Sequence, residues 1–86
     1  MRDLPIEISR HAQEQMHLRG VDRSEVIAAI RMGEAEPARH SRIMYRKNFQ
    51  FNSTWRNRQY RVKQVAPVVA VEPDRIVVVT VYAFYF

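Results

Sequence analysis

Residues 9–33 read SRHAQEQMHLRGVDRSEVIAAIRMG and predict two short helices that meet at a glycine. Ser9 suits the N-cap of the first helix, and Gly20 suits the left-handed residue that ends it. Asp22 then begins a second helix with a capping-box sequence, and that helix runs to Gly33. Apolar residues repeat in the second helix at helical spacing, so one of its sides must cover another apolar surface.

The rest of the chain predicts the strands that supply this surface. Residues 6–9 suggest a short first strand, and residues 34–37 are interpreted as a break because Pro37 cannot continue a helix. Residues 39–51 then alternate with a period of two, which predicts a strand with one basic side. One side carries Ile43, Tyr45, Phe49 and Phe51 with Lys47, and the other carries Arg42, Met44, Arg46 and Asn48.

Three further stretches complete the predicted sheet. The polar residues 52–58 are interpreted as a connection, and residues 59–65 as the strand that follows it. Pro67 should interrupt that strand or place it at an edge. Two β-branched runs flank a hairpin connection at residues 72–75, and the second run is expected to be the central strand.

The predicted fold class follows from this order of elements. It is α+β, with two N-terminal helices packed on one face of a mainly antiparallel 4- to 5-stranded sheet. The chain contains no internal repeat and no long linker, so we expect a single domain over residues 1–86.

The composition favours a soluble, cytoplasmic protein with a polyanionic partner. The chain has no cysteine, which excludes disulfides, cysteine-based zinc sites and a cysteine nucleophile. No apolar stretch is long enough to span a bilayer, and we expect no membrane partner. The net charge is +5, and twelve of the fourteen cations are arginine, which suits bidentate contact with phosphate. A basic surface without a ligand is the alternative.

Neither a metal nor another cofactor is expected. No histidine pairs with another at the helical spacing of a zinc site, and the two glycines cannot build a glycine-rich phosphate loop. What remains is chemistry carried by side chains alone, such as the cleavage of RNA without a metal.

That reaction needs a base for the 2′-OH proton, cations for the phosphate and an acid for the leaving oxygen. His11 is the candidate base, because the dipole at a helix start disfavours a protonated imidazole, whereas His17 and His40 receive less weight. Arg19 could reach a neighbouring phosphate, and Tyr82 could orient the phosphate or act as the acid. The structural alternatives are an exposed helix residue for His11, a helix C-terminal charge for Arg19 and a core strand residue for Tyr82.

The last strand is expected to carry two hydroxyl groups on one face. Thr80 and Tyr82 should share that face with Val78 and Phe84, in a mostly apolar row. β-Forming residues of a core strand are the alternative explanation for this row.

A basic and aromatic segment predicts the RNA-binding surface. Residues 39–63 contain eight cations and no acid, and Tyr45, Trp55 and Tyr60 are interleaved with these cations. Charge combined with aromatic stacking is typical of surfaces for single-stranded RNA. A solvated sheet face is the alternative. The expected RNA-binding residues are Arg42, Arg46, Lys47, Arg58, Arg61 and Lys63.

Short motifs near both ends of the chain resemble a known family. They are residues 8–12 (ISRHA), residues 19–21 (RGV) and residues 79–82 (VTVY). With the helix that ends at Gly33, they resemble the small bacterial family known as domain of unknown function 4258, which is similar in fold to RelE-like toxins and other metal-independent ribonucleases. The resemblance implies the catalytic residues His11, Arg19, Thr80 and Tyr82. It also implies RNA, including messenger RNA on the ribosome, and a cognate antitoxin protein as partners.

Three functions are therefore weighed. The leading hypothesis is a toxin-like endoribonuclease of RelE-like type, in which Arg42, Arg46 and Arg61 clamp phosphates on the basic sheet face. The second is a non-catalytic nucleic-acid- or protein-binding module whose helix pair reads DNA, although the second helix is too apolar for that role. The third is a homodimer or partner interface made by the aromatic residues 84–86.

Overall fold

In the computed structural model, which describes residues 4–86, two helices and five strands form an α+β fold. The strands lie in the order β1-β5-β4-β3-β2, with β1 parallel to β5 and the other pairs antiparallel. A 3₁₀ turn at Arg39–Ser41 joins β2 to β3. The predicted α+β class is confirmed, with a mixed sheet. The elements are β1 (Ile6–Ile8), α1 (Arg10–Arg19), α2 (Arg23–Met32), β2 (Glu34–Ala38), β3 (Arg42–Trp55), β4 (Arg58–Val71) and β5 (Ile76–Tyr85).

The predicted caps set the ends of both helices. The Ser9 hydroxyl accepts a hydrogen bond from the Ala12 amide, and α1 ends at Gly20, which has a left-handed φ of 70°. Asp22 and Glu25 form a capping box at the start of α2, because each side chain accepts a hydrogen bond from the other residue's backbone amide. These local hydrogen bonds explain why the sequence alone located the helices.

Both helices pack against one face of the sheet, which we call the helix-covered face. Ala12 and Met16 of α1 and Val26 and Ile30 of α2 are buried in one core with side chains of the strands. Because strand residues alternate between faces, the neighbours of these core residues point the other way, onto what we call the open face. The open face carries Arg42, Met44 and Arg46 of β3, Gln64, Ala66 and Val68 of β4, and Thr80, Tyr82 and Phe84 of β5.

The predicted break after Gly33 is wrong, because Glu34–Ala38 is the edge strand β2. This strand pairs with β3 on one side only. Proline has no amide hydrogen to donate, and an edge strand tolerates this because one of its sides has no partner strand. Pro37 lies in such a strand.

The predicted connection over residues 52–58 is also wrong, because most of these residues continue the strands. The turn is only Arg56–Asn57, with φ of 51° and 69°, and such a pair of left-handed residues matches the twist of a two-residue hairpin. Asn52, with φ of 44°, accompanies a register shift between Gln50 and Ser53.

The central strand is β4 and not β5, contrary to the prediction, and Pro67 lies buried inside it. The register of β4 with β5 shifts between Val68 and Val69, beside this proline. The shift changes the phase of β5, so Val78 is buried in the core while Thr80 faces the open side. The prediction that Val78 shares a face with Thr80, Tyr82 and Phe84 is therefore wrong for Val78.

Candidate nucleic-acid interface

A groove of about 390 Å³ lies on the open face, where the 3₁₀ turn meets the strands. Apolar side chains from four strands line it together with an imidazole, two guanidinium groups and two hydroxyl-bearing side chains. Its volume falls in the range of sites for small ligands. The lining residues are Pro37, Ala38, Arg39, His40, Arg42, Met44, Val68, Val79, Thr80 and Tyr82.

The turn that brings His40 to the groove has an uncommon backbone. His40 and Ser41 have φ of 61° and 60°, so two successive residues that are not glycine adopt the left-handed conformation. Such residues cost of order 1 kcal/mol or more each, and they are concentrated at functional sites. Both are exposed, and the tight turn places Arg39 and His40 beside Arg42.

Arg19 reaches the rim of the open face from the end of α1. Strand β1 pairs only with Ile76, Val77 and Val78 of β5, so the outer edge of β5 is uncovered beyond them. The Arg19 Nη1 donates a hydrogen bond of 2.7 Å to the Val81 carbonyl oxygen at this edge. The centre of its guanidinium lies 5.1 Å from the ring centroid of Tyr82, a cation–π distance.

The four predicted catalytic residues thus fall into two places. Arg19 contacts Tyr82, and Tyr82 lines the groove with Thr80. His11 is exposed in the first turn of α1, in the helix layer, and it does not line the groove. The imidazole in the groove is that of His40, which the sequence favoured less than His11 as the base. The available signal was its position between two arginines directly before a strand with a basic side.

Arg42 and Arg46 project from the open face, as the two-residue period predicted. The Arg46 side chain donates to the Glu36 carboxylate and to the Gln64 amide oxygen, both at 2.9 Å, and its guanidinium centre lies 5.7 Å from the Phe84 ring. Within residues 4–86, neither Arg39 nor Arg42 forms an ion pair with a carboxylate. The groove therefore keeps two uncompensated positive charges, whereas Glu36 partly balances Arg46.

The two lysines of the predicted RNA-binding set lie on the helix-covered side of their strands. Lys63 is only 5% exposed, and its ammonium donates to Glu25 at 2.8 Å and to the Gly20 carbonyl oxygen. It is occupied inside the domain and does not belong to an RNA-binding surface. Lys47 is half-buried, with its ammonium 5.1 Å from the Phe49 ring.

Arg58 and Arg61 are exposed on β4. Arg58 pairs with Trp55, the last residue of β3, whereas the groove adjoins Arg42, the first residue of that strand. These two arginines lie toward the other end of the hairpin and could meet only an RNA that extends along it.

The aromatic residues predicted to stack with RNA bases are mostly committed to packing. Tyr45 is buried in the core, while Trp55 and Tyr60 pack on Tyr85 with ring centroids 5.1 Å and 5.6 Å away. The Tyr85 hydroxyl donates to the Arg19 carbonyl oxygen, and burial, followed by the nearby Glu25 charge, raises the pKa of Tyr85. On the open face of β5, the exposed aromatic rings are instead those of Tyr82 and Phe84.

Comparisons with known proteins identify a family but no characterised relative. No helix within the described part of the chain is both long and apolar enough to cross a membrane. Neither the curated proteins nor the solved structures contain a match to the chain. The model of the family described as a domain of unknown function, DUF4258, matches residues 8–83, which is most of the sequence. The chain belongs to this family.

Proposed function

We propose that this protein is a metal-independent endoribonuclease with a RelE-like fold and that it cleaves RNA in the open-face groove. The observation that carries the proposal is the set of groups in that groove: the His40 imidazole, the Arg39 and Arg42 guanidinium groups, and the Thr80 and Tyr82 hydroxyls. These are the kinds of groups that cleavage by a 2′-hydroxyl requires.

The proposed reaction assigns one task to each group. His40 takes the proton of the 2′-OH, and the 2′-oxygen attacks the adjacent phosphorus while the bond to the 5′-oxygen breaks. Arg39 and Arg42 hold the phosphate as negative charge develops on its oxygens. The Tyr82 hydroxyl donates a proton to the leaving 5′-oxygen, and Thr80 orients the phosphate. The products are a cyclic phosphate on one fragment and a 5′-hydroxyl on the other.

The test is cleavage of a generic RNA in the presence of EDTA. The groove position favours His40→Ala over His11→Ala as the inactivating change, by the 10²- to 10⁴-fold that general base catalysis typically contributes. His17→Ala, on the exposed side of α1, is the matched control and should leave the rate unchanged. If only His11→Ala lost activity, the general base would be His11 of α1 and not His40. If the wild-type protein were inactive, the proposed cleavage would be excluded.

The second candidate is a binding module without catalysis, and the structure gives no support to its DNA-reading form. A recognition helix must be free to enter a groove of DNA. Helix α2 instead buries Val26, Ala29 and Ile30 and packs on β3 and β4. RNA binding without cleavage is the form of this candidate that the open face can still support.

We extend the proposal to a toxin partnered by an antitoxin, because the family resembles RelE-like toxins. Induced expression of the wild-type protein should then stop bacterial growth, and the product of an adjacent gene should relieve the arrest. The His40→Ala variant should allow growth at equal protein levels. Growth arrest by both the wild-type protein and His40→Ala would show that toxicity does not depend on His40 in the groove.

A further inference from the structure

Two aromatic rings are exposed side by side on the open face. Tyr82 is 38% exposed and Phe84 is 41% exposed, and they are alternate residues of β5. Alternate residues of a strand project from the same face about 6–7 Å apart. Neither ring belongs to the core cluster. A pair of exposed rings on a small domain indicates a binding surface.

Each ring is accompanied by a guanidinium group. Arg19 lies 5.1 Å from the Tyr82 ring, and Arg46 lies 5.7 Å from the Phe84 ring. Arg42 lines the adjoining groove next to Tyr82. Each aromatic ring thus has a guanidinium group over it. Aromatic rings and guanidinium planes both stack with bases, and the positive charge complements the phosphates that join them.

We infer that Tyr82 and Phe84 form a stacking platform for two successive unpaired bases of single-stranded RNA. The inference rests on the proposed function and specifies its substrate class. The RNA strand follows β5, with the phosphate to be cleaved at the groove and the next base on Phe84. A duplex hides the faces of its bases in its own stack, so it cannot use this platform.

The charges favour RNA over a second copy of this chain as the occupant. A symmetric pair of open faces would bring Arg19, Arg42 and Arg46 of one protomer toward the same cations of the other. Within residues 4–86, Glu34 and Glu36 of β2 share this face, and they offset the three cations only in part. The phosphates of RNA instead complement these charges, and the chain as a whole carries a net charge of +5.

The test is fluorescence anisotropy with short labelled RNAs. Their riboses carry 2′-O-methyl groups, which prevent cleavage, and a hairpin duplex with the same number of phosphates is the comparison. We expect Phe84→Leu to weaken single-strand binding about 5- to 100-fold, because it removes the π-face and keeps the apolar bulk. Phe84→Tyr should restore the affinity, and Val71→Ala, an exposed apolar residue at the end of β4, should leave it unchanged. Duplex binding should stay the same in all variants.

A second readout reports stacking itself. A 2-aminopurine base in the single strand should lose fluorescence on binding to the wild-type protein, and this quenching should be smaller with Phe84→Leu. Thermal unfolding of each variant, followed by circular dichroism, shows whether the fold is retained. If Phe84→Leu fails to fold, Phe84→Tyr and Tyr82→Leu test the same platform with the same probes.

The outcomes separate this inference from the nuclease proposal. Stacking without cleavage of unmodified RNA would support the platform and remove the nuclease. Cleavage with equal affinities for Phe84→Leu and the wild-type protein would overturn the platform and keep the nuclease. No RNA binding by the wild-type protein would overturn both. A dimer that Phe84→Leu dissociates without an effect on RNA binding would show that the face is a self-interface, and this too would overturn the platform.

Discussion

Lys63 connects the sheet to both ends of the turn between the helices. Its ammonium donates to the Gly20 carbonyl oxygen at the end of α1 and to Glu25 in the first turn of α2. A buried ammonium is tolerated only when such partners replace its water. The sequence shows Lys63 in a basic run, but a run of cations does not reveal which face of a strand each one occupies.

The buried pair gives a stability prediction for Lys63. We expect Lys63→Met to lower the free energy of unfolding by about 2–4 kcal/mol, because Glu25 is left half-buried without its partner cation. Lys47→Met is the matched control on the same side of the neighbouring strand, and it should cost less than about 1 kcal/mol. Urea unfolding measures both. Equal small losses for the two variants would show that the Lys63–Glu25 pair adds little.

Asp22 gives a prediction of pH dependence. Hydrogen bonds from the Ser24 hydroxyl and from the Glu25 backbone amide lower the pKa of Asp22 in the folded protein. A carboxyl whose folded pKa is lowered stabilises the fold above its unfolded pKa, near pH 4, and this contribution is lost as the pH falls through the folded pKa. The stability advantage of the wild-type protein over Asp22→Asn should therefore shrink below about pH 4.

Asparagine keeps a capping oxygen but does not titrate, so this comparison isolates the charge of Asp22. Ser24→Ala removes the hydrogen bond that contributes most to the shift, and it should make the pH dependence weaker. Unfolding by urea over a pH series provides the measurement. A difference between wild type and Asp22→Asn that stays constant from neutral pH to pH 3 would contradict the assignment.

At the scale of elements, the helices could be predicted and the sheet only in part. The ends of α1 and α2 depend on hydrogen bonds between residues three or four apart, which the sequence displays directly. Strand β2, the central position of β4 and the shift beside Pro67 depend on pairings between distant segments. Such pairings leave no local signal in the sequence. Pro37 was therefore interpreted as a break, although it lies in an edge strand.

The candidate site, too, could be predicted only where it depends on local sequence patterns and not on pairings between distant segments. The two-residue period put Arg42 and Arg46 on one side of their strand, and the structure has them on the open face. The place of His40 depends on two left-handed residues, and that of Tyr82 on a register shift, so neither could be read from spacing. The roles assigned to these residues remain predictions for the cleavage assay.

Gly20, at the joint of the two helices, gives a prediction at this scale. A Cβ there would lie 2.6 Å from Cζ3 of Trp55, in addition to the left-handed φ of 70°. We expect Gly20→Ala to lower the free energy of unfolding by more than the roughly 1–2 kcal/mol that the left-handed backbone alone costs. Gly20→Asn tolerates that backbone but carries the same Cβ, so it should not recover the loss. Full recovery with asparagine in urea unfolding would mean that Trp55 moves aside easily.

At the scale of the molecule, the arginines are spread along a domain 42 Å long. Each phosphate contact changes the slope of log K against log salt by about 0.7 for a single strand. For a short RNA that fills only the groove, Arg42→Ala should reduce the slope by about that amount, while Arg58→Ala should leave it unchanged. For an RNA long enough to follow the whole hairpin, Arg58→Ala should reduce the slope as well. Equal effects of both variants on the short RNA would show that binding is diffuse over the surface.

The two contacts of Arg19 have a consequence for how this family can drift. One guanidinium closes the edge of β5 through Val81 and also lies against Tyr82 at the groove. A substitution of Arg19 would remove the hydrogen bond to Val81 and the contact with Tyr82 together. If the proposed cleavage were lost in a relative, His40 would be free to change, whereas the hydrogen bond to Val81 would still favour an arginine at position 19. An arginine at this position alone is therefore not evidence of the proposed activity.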